Sequence, residues 1–231
     1  MRRTLASAII VAWMAGCGTK PGLRENWARL NRHLENFDST LYFYNSGQLA
    51  ELLASRSEAE KLFTADSVRI TVSRVYEFAL KDAYDKRDTV QIKKLENEIH
   101  AHTGSEAARI LAHIKMSDYY DRGDFTNYSA VASDYVDKYC MDNEGQLGWS
   151  AWAFYEHTED TILLQKALGW SSRAIELAPI YANMDTYAHL CFKLGRKEEA
   201  RQMLIKAIEK AKKEGEDYKS SEDLLALLTK E

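Results

Sequence analysis

The fold this sequence predicts is all-α: an array of antiparallel helix pairs with repeat-like pairs at its C-terminal end. Three observations point there. Ala167, Ala174, Ile175, Glu176 and Ala178 recur 33 residues later as Ala200, Ala207, Ile208, Glu209 and Ala211. A fixed spacing of that length marks helical hairpins that stack to bury their apolar faces on one another. Two prolines and eleven glycines punctuate 231 residues, which favours long helices over many short strands. Apolar residues also recur at steps of three and four through most of the chain, the period of a helix with one buried face.

Composition narrows the function classes. Hydrophobic residues make up 45% and charged residues 29%, the mix of an ordinary globular chain. The net charge is −4 and no basic block stands out, so the electrostatic footprint of a nucleic-acid binder is missing.

The elements follow in order. Arg2 and Arg3, then an apolar run from Leu5 to Met14, read as an export signal too short to span a bilayer as a mature helix. The run closes on Met14-Ala15-Gly16-Cys17. Gly18 to Gly22 is a flexible tether. Leu23, Trp27, Leu30, Leu34 and Phe37 form the stripe of a first helix. Thr40 to Tyr44 has strand-like composition without a partner strand, so it reads as an extended linker or an apolar plug, with Tyr42 and Tyr44 buried or facing a ligand. Ser57 and Glu60 have the spacing of a capping box, following a short helix from Gln48 to Ala54. A longer helix over about 67–86 carries Val68, Val72, Val75, Ala79 and Ala83 on its core face, widened by Tyr76 and Leu80.

Asp88 starts the next helix, which runs to His102 and closes at Gly104. Ser105 opens another that reaches Arg122, and Gly123-Asp124 turns into a partner over 125–139. Residues 142–148 read as a loop. The two repeat copies follow, and Ser221 to Leu228 reads as a terminal helix covering the open end of the stack. The domain plan is therefore a signal peptide over 1–16, a tether over 17–22, a helical region over 23–146 and the repeats with their cap over 147–231.

Three family resemblances rest on these residues. Met14-Ala15-Gly16-Cys17 resembles the lipobox of bacterial lipoproteins, with methionine where leucine is usual. The resemblance implies a mature N-terminus at lipidated Cys17 (acyl chains such as palmitate), and attachment to the bacterial envelope. Gly18 lacks the aspartate that retains some lipoproteins in the inner membrane, so the expected site is the outer membrane, facing the periplasm. Each buried acyl methylene contributes about 0.8 kcal/mol, so several chains together tether firmly.

From Leu147 onward the register resembles tetratricopeptide repeats. Trp149, Trp152 and Ala153 give the large-large-small start, and Ala167 and Ala174 the second helix, stopped by Pro179. In the next copy Met184, Tyr187, Ala188 and Cys191 fill the first helix, Gly195 turns the chain, and Ala200, Leu204 and Ala207 complete the second. Ser171 departs from the pattern, which usually has a large residue there, and Lys212 stands where proline is usual. In such repeats the first helices line a groove for peptides. On this register the candidate peptide groove is Ser150, Ala151, Phe154 and His157, then Asp185, Thr186, His189 and Lys193. The terminal helix is the other candidate to occupy it.

The segments AWAFYEHTEDTILLQKALGWSSRAIEL, DTYAHLCFKLG and KAIEKAKKEGEDY also resemble the helical C-terminal region of some bacterial thioredoxin-fold proteins. The chain has neither that domain nor a CxxC pair, so no catalytic residue carries over.

The remaining chemistry-bearing residues form no recognisable site. Glu96 and His100 share a helix face, but two ligands do not make a zinc site. Asp118, Asp121 and Asp124 lack the calcium-loop pattern. Cys140 and Cys191 lie in separate helices, Cys191 on an apolar face. No cofactor or metal is expected. The expected function is non-enzymatic: a lipid-anchored interaction module for an envelope protein or peptide, membrane-bound through its anchor. The alternative is an accessory of an envelope thioredoxin-type redox system, with a thioredoxin-fold partner.

The lipid anchor is tested by metabolic palmitate labelling. Cys17→Ser is expected to abolish incorporation, and labelling unaffected by the change would refute the anchor.

Overall fold

The structure, a computed structural model, describes residues 22–34 and 36–229; the export signal and Cys17 lie outside them. Among the described residues every regular element is helical. None of these helices is long and apolar enough to cross a membrane. The chain divides into two compact units after Ile114.

The first unit contains α1 (Leu23–His33), α2 (Phe37–Asn45), α3 (Gln48–Ala54), α4 (Arg56–Leu62), α5 (Ala65–Asp85) and α6 (Thr89–His102). A 3-10 turn (Gly104–Glu106) then leads into α7 (Ala107–Asp121), and the unit division falls within that helix. Leu23, Trp27 and Leu30 of α1 are buried as the stripe requires. Phe37, the last residue of that stripe, instead opens α2, because the Asn36 side chain accepts from Ser39 N at 2.8 Å and starts a new helix.

The segment over 40–44 is therefore helical, a correction to the extended reading. Its β-branched and aromatic residues suggested strand, yet Thr40 and Phe43 fall on one helical face and are buried. Packing of that face overrides local propensity. Tyr44 beside it donates its hydroxyl to Glu98 Oε2 at 3.0 Å. Ser57 is not a cap either. α4 starts from Ser55, whose carbonyl accepts from Ala59 N at 3.0 Å, and Ser57 sits inside the first turn.

α5 buries Val68, Val72, Val75, Tyr76, Ala79, Leu80 and Ala83, the predicted stripe. It is pinned to α7 by a buried carboxylate: Glu77 Oε1 lies 2.7 Å from His113 Nδ1 and 3.9 Å from Arg109 Nη1, and Glu77 Oε2 lies 3.5 Å from Arg74 Nη1. Burial works to raise the Glu77 carboxyl. The His113 hydrogen bond and the charges of His113, Arg109 and Arg74 outweigh it, and the group is held below the usual carboxylate range.

The second unit comprises the end of α7, then α8 (Phe125–Tyr139), α9 (Glu144–His157), α10 (Thr161–Leu177), α11 (Tyr181–Lys193), α12 (Lys197–Glu214) and α13 (Lys219–Leu228). Asp124, Asn143 and Asp160 cap α8, α9 and α10 through their side-chain oxygens. The predicted loop over 142–148 shrinks accordingly, and both Gly145 and Gly148 lie inside α9. From α8 onward consecutive helices pack on each other, and the first helices of the two repeat copies, α9 and α11, also touch. α10 is also joined side by side to α8, across 33 residues of chain. Trp170 Nε1 donates to Asp137 Oδ1 at 2.6 Å, and Lys166 Nζ to the Ser133 carbonyl at 3.0 Å. Ala200, Leu204 and Ala207 are fully buried, as the repeat register requires.

Gly148 and Ser171 have a shared explanation. A Cβ on Gly148 would stand 2.6 Å from Asn183 Oδ1. Asn183 cannot swing away cheaply, because its Nδ2 donates to the carbonyls of Ala174 at 3.3 Å and Ala178 at 2.9 Å, closing the end of α10. Ser171, fully buried, donates to the Asn183 carbonyl at 3.1 Å. A large residue at Ser171, usual in the repeat pattern, would displace this lock.

Two predictions follow from these contacts. Gly148→Ala is expected to destabilise the chain by about 1–2 kcal/mol, the loss of buried hydrogen bonds outweighing the gain in helix propensity. Gly169→Ala, at an exposed helical site with nothing within 4 Å, is expected to stabilise by about 0.5–1 kcal/mol. Urea unfolding measures both. The second prediction concerns pH. Because the folded-state pKa of Glu77 is depressed, its contribution is complete above the ordinary carboxylate range and fades as pH falls through that range. Glu77→Gln is expected to cost about 2 kcal/mol at pH 7, and the two stabilities to converge once the pH falls below the depressed folded-state pKa of Glu77.

Candidate functional site

α11 presents a polar ladder. Tyr181, Asp185, His189 and Lys193 stand four residues apart and share one face of the helix. On most buried helix faces such positions are apolar, because an unsatisfied polar group in the interior costs free energy. Here each rung has a partner, and the partners come from α9 and α13.

His189 is the centre. Its Nδ1 lies 2.9 Å from the Asp185 carbonyl and 3.5 Å from Asp185 Oδ1. A carbonyl only accepts, so Nδ1 carries the hydrogen, and in the neutral imidazole Nε2 is left as an acceptor. The Ser220 hydroxyl, 3.2 Å away, donates to it. Trp152 and Tyr155 of α9 meet the imidazole edge-on, with centroids at 5.5 and 5.3 Å. Ser221, fully buried, donates a short hydrogen bond to Asp185 Oδ1 and sits 3.4 Å from the Tyr181 hydroxyl. Lys193 completes the ladder: its Nζ donates to the Tyr155 carbonyl at 2.7 Å, pairs with Glu159 at 2.8 Å, and lies 5.4 Å from the Tyr155 ring centroid. Burial, reinforced by the Asp185 charge, raises both Tyr155 and Tyr181 above the ordinary phenol range, so both are neutral donors at pH 7.

A serine hydroxyl held by an imidazole is the pair from which nucleophilic serines are built. In this cluster, however, the Asp185 carboxylate is engaged by Ser221 and the imidazole is oriented by the main chain. The group acts as a polar clamp between α11 and the start of α13.

The residues proposed from sequence as a peptide groove divide into three sets. Ser150, Ala151 and Phe154 are buried between helices: Ser150 accepts from Gln146 Nε2 at 3.2 Å, and Phe154 packs edge-on against Trp170 at 5.0 Å. They point into the stack and leave no surface for a peptide. Asp185, Thr186 and His189 are also buried, Asp185 and His189 beneath the N-terminal turn of α13, and the Thr186 hydroxyl donates to the Ala182 carbonyl. His157 and Lys193 keep solvent access, His157 stacking on Phe125 at 3.5 Å. The sequence missed Ser220, Ser221, Trp152 and Tyr155. The four-residue step of polar groups from Tyr181 to Lys193 was the available signal for the ladder, but their partners lie 31 and 36 residues away across a turn.

The cavities of the first unit include two of note. One, about 170 Å³, is lined by Leu23, Asn26, Arg29, Phe43 and Gln48 among others, with Arg29 Nη2 bonded to Gln48 Oε1 at 2.8 Å. The other, about 240 Å³, lies between Tyr44, Asp82, Lys86 and Gln91, where Lys86 and Asp82 pair at 2.8 Å. Cys140 and Cys191 are buried, and burial pushes the Cys191 thiol up to about 12.

No family model, no curated protein and no solved structure matches this chain.

The thiols give a direct measurement. In the native chain both are expected to resist a maleimide reagent at pH 8, with modification appearing only on unfolding in urea. Rapid labelling of the native chain would contradict the burial described.

Proposed function

We propose that this chain is a non-enzymatic interaction module of the bacterial envelope, tethered through lipid on Cys17. Its second unit is read as tetratricopeptide-like pairs that receive a segment of an envelope protein. The observation that carries the reading is the face made by the first helices α9 and α11. Trp149, Trp152, Tyr155, His157 and Lys193 retain solvent access, Trp152 and Tyr155 against His189 of the ladder and Trp149 and His157 against Tyr120 and Phe125 respectively. Aromatic and cationic side chains on a rigid helical surface are the usual anchors of a peptide interface. The spacing of Met14-Ala15-Gly16-Cys17 supports the tether.

A thioredoxin-fold protein is one partner this reading names. The redox chemistry would be the partner's, because a buried thiol pushed up to about 12 is protonated and unreactive at neutral pH.

Site-specific photo-crosslinking in intact cells tests the proposal. A photoreactive residue replacing Trp149 is expected to give a discrete adduct that is lost in Cys17→Ser, where the chain no longer reaches its membrane. The same residue replacing exposed Val90 serves as the control. Equal adducts from both positions, or an adduct indifferent to Cys17→Ser, would overturn the reading.

A further inference from the structure

We infer that the face of α11 and α12 now covered by α13 is itself a binding site. Its ligand class is a helical segment opening with two serines and continuing Ser-Ser-x-x-Leu-Leu-x-x-Leu, and α13 is its occupant in the same chain. The inference rests on the proposed role as an interaction module and names the kind of segment that role would take.

Three features of the interface carry it. First, the contact at the tip of α13 is polar where a permanent cap would be apolar. Ser220 and Ser221 bind His189 and Asp185, and these two ladder residues are buried beneath them. Polar groups that must be satisfied whether covered or exposed suit a surface that changes occupant, since water replaces the serines when the helix leaves. Second, the apolar part is small and linear. Leu224, Leu225 and Leu228 pack on Ala188, Phe192, Met203 and Leu204, a three-leucine seam along one side of the helix. Together the serine tip and the leucine seam define a readable pattern. Third, α13 follows a break in the helical path. Gly215 takes φ 71°, and residues 216–218 form no helix before Lys219. The N-cap position is Tyr218, which makes no side-chain cap, so the serines are committed to α11 and not to their own helix.

A segment with the same serine pair and leucine spacing, presented by a partner, makes the same contacts once α13 lifts. In the resting chain α13 competes with it, and the apparent affinity falls by the fraction of molecules in which the face is open.

The test uses the full chain and a labelled synthetic peptide spanning residues 217–229. Ser221→Asp places a second carboxylate against Asp185 and should release α13. Amide exchange over Lys219–Leu228 should then quicken, and Asp185→Asn added to it should slow exchange again by removing the repulsion. Binding of the peptide, followed by anisotropy, should be about tenfold tighter to Ser221→Asp than to the unmodified chain, and a peptide with both serines replaced by alanine should lose about tenfold. If Ser221→Asp lowers the helical signal, the milder pair Ser220→Ala with Ser221→Ala decides, with the same order of affinities at smaller amplitude. Released α13 without peptide binding overturns the inference, as does equal binding to the open and closed chains. If the peptide fails while Trp149 still yields its adduct, the partner uses another surface and only this inference falls. If the peptide binds and the adduct is absent, the envelope role falls and the site stands.

Discussion

The second unit depends on one side chain, Asn183. Its amide nitrogen closes the carbonyl end of α10, its own main-chain carbonyl receives Ser171, and its amide oxygen leaves no room for a side chain on Gly148. Three helices are thereby fixed at one point by a small polar residue, a small hydroxyl and an absent side chain. Alanines at 167, 174 and 188 let the axes approach, but alanine is indifferent to register. The asparagine supplies the register, because its amide closes α10 and its main-chain carbonyl receives Ser171 only when α10 and α11 meet at this crossing, with Gly148 of α9 leaving room for its amide oxygen. Stability and uniqueness come from different atoms here.

From that crossing the polar ladder of α11 runs toward α13. A buried polar face costs desolvation that an apolar face would not, and every rung is compensated by a specific partner. The compensation is directional. With the neutral ring Ser220 donates to Nε2, because Nδ1 is already committed, and Ser221 donates to Asp185 because a carboxylate only accepts. A helix with two serines at its tip satisfies both conditions, and one with alanine or leucine there satisfies neither. The face discriminates by hydrogen-bond polarity, with the leucine seam adding affinity that any apolar stripe could supply. The first unit uses the same device in ionic form at Glu77, where one carboxylate gathers two arginines and a histidine.

Helix existence and helix faces were legible in the sequence. The stripe of α5, the caps at Asp88 and Asp124, and the buried alanines of the repeat copies all follow from periodicity and capping chemistry. Failures came where two local signals compete. The aromatic and β-branched residues around Phe43 look like strand until Asn36 is seen to restart a helix. Gly145 and Gly148 look like loop until the close approach of Asn183 explains the second of them. The burial of Ser150, Phe154, Asp185, Thr186 and His189 was hidden for a different reason. A repeat register says which residues face inward on a helix, but not whether inward means a groove or the underside of another element. Ser220 and Ser221 meet His189 and Asp185 through a turn whose geometry no periodicity encodes.

The two buried thiols also constrain how the chain must mature. In an oxidising compartment an exposed cysteine pair is open to disulfide chemistry on a scale of seconds or longer. Helix pairs joined by short turns are rich in contacts close in sequence, and such topologies fold in microseconds to milliseconds. Cys140 at the end of α8 and Cys191 within α11 would therefore be withdrawn from oxidants well before a bond can form. Any lesion that slows the stack, such as a side chain at Gly148, would lengthen that exposure. Its cost would then appear as wrongly cross-linked chains, beyond what the loss of stability alone implies.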